Sequence, residues 1–230
     1  MTIDQFCDVL RKFQISGVDQ FQKKLRDNAS ISANLEDLVC EGRVALTFAQ
    51  YGWQVTMRES PDVEVRRNGI VIGIEVKHFR RKPSHDPIEE RMLREQPFVY
   101  TQMPRLIETE GHEEDYDQMF RFAVKYARQL IDGERNILFF WCSTVAHSDI
   151  TLLTAANIYE EALEKPSCDP KMFNLSAMMI CAIWGSVGYN GGHIFWKPIW
   201  RSTKPVSVEL KYLLEEISNP PDVAFYPVTP

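Results

Sequence analysis

Apolar residues recur at helical spacing from the start of the chain, at Ile3, Phe6, Val9, Leu10 and Phe13, and the pattern resumes at Phe21 and Leu25. The polar stretch DNASISAN (27–34) interrupts it. Leu35, Leu38, Ala45, Phe48 and Ala49 then predict a long helix from Leu35 to Tyr51, with Gly52 at its C-terminal cap. WQVTM (53–57) reads as a short strand. The alternation in PDVEVRRNGIVIGIEVK (61–77) reads as two further strands around Asn-Gly. Residues 80–115, with four prolines at 83, 87, 97 and 104, form a polar connection with a short helix near 88–95. A helix over 116–132, a buried strand over 136–143 and a helix over 149–164 follow. Strands over 177–184 and 193–200 and a helix over 206–217 precede a proline-rich tail.

An opening antiparallel group and a later crossover helix predict an α/β fold with a mixed central β-sheet flanked by helices. The chain divides into an N-terminal helical extension (1–34), a core (35–145) and a C-terminal α/β extension (146–230) packed on the same domain.

Composition narrows the class. With 230 residues, 44% of them hydrophobic, the chain can bury a core without disulfide staples. The five cysteines, at 7, 40, 142, 168 and 181, include no CxxC pair and read as small buried hydrophobes in a reducing compartment. The first residues are charged and lack the apolar run of a signal peptide. Residues 172–196 contain no Asp, Glu, Lys or Arg, but their dense apolar piece, AMMICAIW, is of strand length and far short of the ~20 residues that cross a bilayer as a helix. A cytoplasmic protein without membrane contact is the expectation.

The net charge of −6 argues against a general nucleic-acid coat. The charge is uneven, however. Arg66, Arg67 and the run HFRRK (His78, Arg80, Arg81, Lys82) form a basic rim, whereas ETEGHEEDYD (108–117) is acidic. Such a rim suits a polyanion, and it equally describes a solvated hairpin end.

The chemistry lies in the hairpin. With Asn68-Gly69 as a two-residue turn, Arg67 pairs with Ile70, Val65 with Ile72 and Val63 with Ile74, giving one apolar face. On the other face Glu64 meets Gly73, Asp62 meets Glu75, and Lys77 lies two residues on. Opposed side chains stand ~5 Å apart at Cβ, where two like charges are destabilising. A divalent cation shared by the two carboxylates removes that cost, and Gly73 would leave room for a ligand. An exposed salt-bridged ladder is the plainer alternative. Against it, IVIGIEV is too apolar for an edge ribbon, and a charged pair on a central strand needs a reason.

The helix EGRVALTFAQYGW, the Pro61-Asp62 pair and Glu75-Val76-Lys77 together resemble the PD-(D/E)xK nuclease superfamily, and its Holliday-junction-resolvase-type members in particular, over residues 35–143. The resemblance implies a restriction-endonuclease-like αβββαβ core and metal-dependent hydrolysis of phosphodiesters, in DNA rather than RNA. It implies Mg²⁺ or Mn²⁺ held by Asp62, Glu75 and the Val76 carbonyl, with Lys77 on the phosphate or the attacking water. Glu41 would sit in or beside the metal shell, with Glu36 as an alternative on the same helix. Gln118, Lys125 and Gln129 are candidates from the later helix. The basic rim would contact nucleic acid. Two other arrangements stay open: a catalytically inactive module for binding nucleic acid or protein, and a homodimer built through residues 175–200. The aromatics of FFWC and IFWKPIW read as core or interface before base-stacking surface.

Overall fold

The computed structural model describes residues 1–79, 115–142, 148–186 and 189–230. The expected helix near 88–95 and the candidates Arg80, Arg81 and Lys82 lie outside these residues. Three helices open the chain: α1 (Ile3–Lys12), α2 (Val18–Asp27) and α3 (Ser32–Gln50). Thr2 and Gln5 close a capping box on α1, and Ile3, Phe6, Cys7 and Leu10 form its buried stripe. Gly52 follows α3 at φ 78°, a conformation open to glycine, as its sequence position predicts.

Six strands follow: β1 (Gln54–Met57), β2 (Val63–Arg67), β3 (Ile70–Phe79), β4 (Arg135–Cys142), β5 (Leu175–Ser186) and β6 (Tyr189–Pro198). They form one sheet in chain order; β3–β4 and β4–β5 run parallel and the other pairs antiparallel. Helix α4 (Asp115–Ala127) precedes β4, α5 (Asp149–Leu163) lies between β4 and β5, and α6 (Val208–Glu215) follows β6. This is an α/β fold with a mixed sheet between helical layers.

Two cores lie on the two faces of the sheet. Alternate residues of β2, β3 and β4 (Val63, Val65, Ile72, Ile74, Phe139, Trp141) pack with α1, α2, α3 and α6. The intervening ones (Leu138, Phe140) join α4 and α5. The FFWC residues of β4 are therefore core. Among the later aromatics Trp200 is exposed at 73%.

Several boundaries move. Helix α4 ends at Ala127 instead of 132, because the buried Asn136 captures the chain beyond it: its amide donates to the carbonyls of Ile131, Glu134 and Asn174. Strand β6 begins at Tyr189, four residues before the expected 193, and takes in Gly191 and Gly192. A side chain on Gly192 would meet Phe225 at 2.8 Å, so packing requires its glycine. The proline-rich tail is part of the core. Ala224 and Val228 are buried, the Phe225 ring lies 5.7 Å from that of Trp141, and Thr229 bonds to Ile3 beside α1. Among the described residues no helix is long and apolar enough to cross a membrane.

Candidate functional site

The β2–β3 hairpin has the register its sequence predicts: Arg67 faces Ile70, Glu64 faces Gly73 and Val63 faces Ile74. Asn68 (φ 52°) and Gly69 (φ 76°) both take the left-handed conformation that a two-residue turn demands. The ladder ends at Val63 and Ile74, just short of Asp62 and Glu75. Pro61, beyond Asp62, has no N–H with which to extend it. The Val76 N–H instead donates to Asp62 Oδ2 at 2.8 Å. A strand residue directs its N–H and C=O to the same neighbour, so the Val76 carbonyl faces this same flank beyond the end of β2.

Three acids and two lysines meet at this point. Lys77 Nζ lies 2.7 Å from Glu75 Oε1 and 3.9 Å from Asp62 Oδ2. Its ammonium also sits 4.0 Å from the centroid of the Tyr126 ring on α4. Glu41 comes from α3 in the other helical layer, and Lys24 of α2 bonds both its oxygens at 3.3 and 3.2 Å. Glu41, Asp62 and Glu75 are all buried.

Burial raises the Glu41 carboxyl to about 8, with the nearby Asp62 charge adding to the rise and Lys24 opposing it. Asp62 is raised by burial against the pull of Lys77 and the Val76 N–H. Glu75 is raised by burial and by Asp62. Burial opposes the charge of Lys77, but Asp62 and Glu75 outweigh it and the net shift is upward. Burial thus disfavours ionising all three acids together, and the two lysines offset that only in part.

The other candidates have partners of their own. Gln118 is buried on α4, whereas Lys125 on that helix is exposed, with its ammonium 4.9 Å from the Tyr126 ring. Gln129 lies beyond the end of α4, its carbonyl accepting from Ser60 at 3.4 Å. Arg66 bonds the buried Glu64 at 2.7 Å, and Arg58 pairs with the same carboxylate. Arg67 is tied to the Tyr51 carbonyl at 3.0 Å and to Glu216 at 2.8 Å. His78 turns to α3, where Nδ1 lies 3.1 Å from Asp37 Oδ1. The expected room at Gly73 is filled: a Cβ there would meet the Pro61 ring at 2.8 Å and Asn136 Oδ1 at 2.9 Å. Gly73 serves close packing of Pro61 over the strand.

Donor atoms of Glu36, Cys40 and His78 lie within 4.8 Å of one another. Arg43 Nη1 donates to Glu36 Oε1 at 2.5 Å and lies 3.8 Å from Cys40 Sγ, so a side chain supplies the positive charge there. Burial holds the Cys40 thiol well above its ordinary value. Cys40 precedes Glu41 and His78 follows Lys77, so this cluster clasps α3 to β3 directly beside the acids.

Two contributors went unseen in the sequence. Tyr126 was visible only as an apolar helical position, and Lys24 only as one of several charges on an N-terminal helix. The chain matches no family model, no curated protein and no solved structure.

Proposed function

We propose that the protein is a metal-dependent nuclease of the PD-(D/E)xK kind, hydrolysing phosphodiester bonds in DNA in preference to RNA. The reading rests on one observation: two buried carboxylates, Asp62 and Glu75, share one clamped lysine at the end of the β2–β3 ladder, with a third buried acid, Glu41, near enough to feel the charge of Asp62. Buried like charges are costly without a counter-charge. Every donor here is oxygen, the choice of Mg²⁺ or Mn²⁺ over softer metals. Asp62, Glu75 and the Val76 carbonyl would hold the cation, with Glu41 at its border. Such a cation, when bound, polarises a phosphoryl oxygen and acidifies bound water.

The chain's own residues prepare the rest. The Val76 N–H and Lys77 fix the Asp62 carboxylate in position. Glu75 and the Tyr126 ring hold Lys77 at a set height above the strand, where its ammonium can meet the charge that develops on the phosphate. Glu41, contacted at both oxygens by Lys24, would border the cation from the side of α3. The five thiols are all free, which suits a reducing cytoplasm.

The test is incubation of the purified chain with duplex, branched and single-stranded DNA and with RNA, in Mg²⁺ or Mn²⁺ and in EDTA. Cleavage that needs the metal and falls at least ~100-fold in Asp62→Asn supports the proposal. Intact nucleic acid in every arm removes it and leaves the inactive binding module; an Asp62→Asn variant that cuts as well as the parent removes the acids named here as its site.

A further inference from the structure

The acidic cluster carries one lysine that the reaction outlined above does not use. Lys24 lies at the solvent edge of the cluster, its side chain 41% exposed, while that of its partner Glu41 is only 11% exposed. Lys77 is the contrast: 19% exposed, 2.7 Å from Glu75 and fixed over an aromatic ring. Among the described residues the site thus holds an inner ammonium locked in place and an outer one held by one acid. Helix α2 also borders the entry to β2, because Gln20, one turn before Lys24, bonds Glu59 at 3.2 Å.

Resting on the nuclease reading, we propose that Lys24 is a substrate-binding residue that takes a backbone phosphate of the nucleic acid. Were Glu41 shared with a divalent cation, Lys24 would lose the carboxylate it contacts at 3.2 Å. An ammonium on a flexible four-carbon stem then turns to the next anion at little cost, and a polyphosphate substrate brings one. Lys77 cannot play this part, since its position is set from two sides. The N-terminal helices are on this account part of the substrate surface, carried to the acids by the packing of α2 on α3.

The experiment uses the full chain as wild type, Lys24→Met and Lys24→Arg. Fluorescence anisotropy follows labelled duplex and single-stranded DNA with Ca²⁺ in place of Mg²⁺, across roughly 50 to 200 mM salt. Losing one phosphate contact should weaken Lys24→Met binding roughly tenfold near 0.1 M salt. It should also make the slope of log K against log salt shallower by about 0.9 on duplex, or about 0.7 on single strands. Lys24→Arg should keep the wild-type slope. In Mg²⁺, Lys24→Met should raise KM more than it lowers kcat.

An unchanged slope and affinity in Lys24→Met overturns the role of Lys24, even if its melting temperature falls. Metal-dependent cleavage that Asp62→Asn abolishes would in that case leave the nuclease reading intact. A wild-type chain that binds neither DNA form in Ca²⁺ and cuts none in Mg²⁺ overturns both.

Discussion

At the scale of single residues, the acids make a pH prediction whose sign follows from their surroundings. Glu41 is raised to about 8, so between its ordinary value near 4.5 and about 8 the folded chain keeps a proton that the unfolded chain has released. Unfolding free energy therefore falls as pH climbs through that window and levels off above it; the raised Asp62 and Glu75 act in the same direction. Glu41→Gln, melted in EDTA, should lose much less stability from pH 5 to pH 9 than the parent. The difference at pH 9 should be on the order of 2 kcal/mol, or about 4–8 °C in Tm. Equal pH profiles for the two proteins would contradict the burial of Glu41 beside Asp62. Lys77→Met should act in the opposite sense, lowering Tm because Asp62 and Glu75 lose their nearest positive charge. It should also cut metal-dependent cleavage by roughly 100-fold or more.

At the scale of elements, glycines on the hairpin and on α3 serve two ends, a left-handed turn at Gly69 and close packing of side chains at Gly73 and Gly42. Gly69 has φ 76° but nothing within 4 Å of its missing Cβ, so Gly69→Ala should cost only the conformational strain, about 1–2 kcal/mol. Gly73 is crowded by Pro61 and Asn136, the residues that seat Asp62 and anchor β4. Gly73→Ala should destabilise by about 1–3 kcal/mol and, unlike Gly69→Ala, depress divalent-cation binding because Pro61 must shift. Calorimetric titration of Mn²⁺ into the two variants distinguishes them. On α3, a Cβ at Gly42 would meet the Phe6 ring at 2.7 Å and Phe21 at 3.2 Å. Gly42 thus lets α1 and α2 close on the residue next to Glu41, bringing Lys24 to it.

At the scale of the molecule, a cation that binds the folded acids and not the unfolded chain stabilises the fold by mass action. Mn²⁺ at about 100 times its dissociation constant should add ~2.7 kcal/mol, seen as a rise in Tm that Asp62→Asn abolishes. A Tm indifferent to Mn²⁺ would count against a cation site. The two ends of the chain also act together: Met1 bonds the Pro227 carbonyl at 3.1 Å, and Thr2 pairs with Thr229. Removing residues 222–230 would uncover Trp141 and the inner face of α1, and it should lower Tm as a core truncation would. Proteolysis of the shortened chain should then begin in the N-terminal helices.

The order of the described elements and the hairpin register from Arg67–Ile70 to Val63–Ile74 were legible in the sequence, because each follows from local rules. Strand alternation has a period of two, and an Asn-Gly turn admits one register. The helical spacing of Leu35–Tyr51 showed α3, although its middle, Cys40–Phe48, is buried all round and its periodicity blurs there. Sequence could not show which charges share a pocket, since that depends on how layers stack. Only the tertiary structure brings Lys24 across to Glu41, sets Tyr126 under Lys77, turns His78 and Arg67 away from the acids and closes Gly73 with Pro61. It also makes core of Ala224 and Val228 in the proline-rich tail. Contacts between residues far apart in the chain are set by shape and packing, which local pattern does not encode.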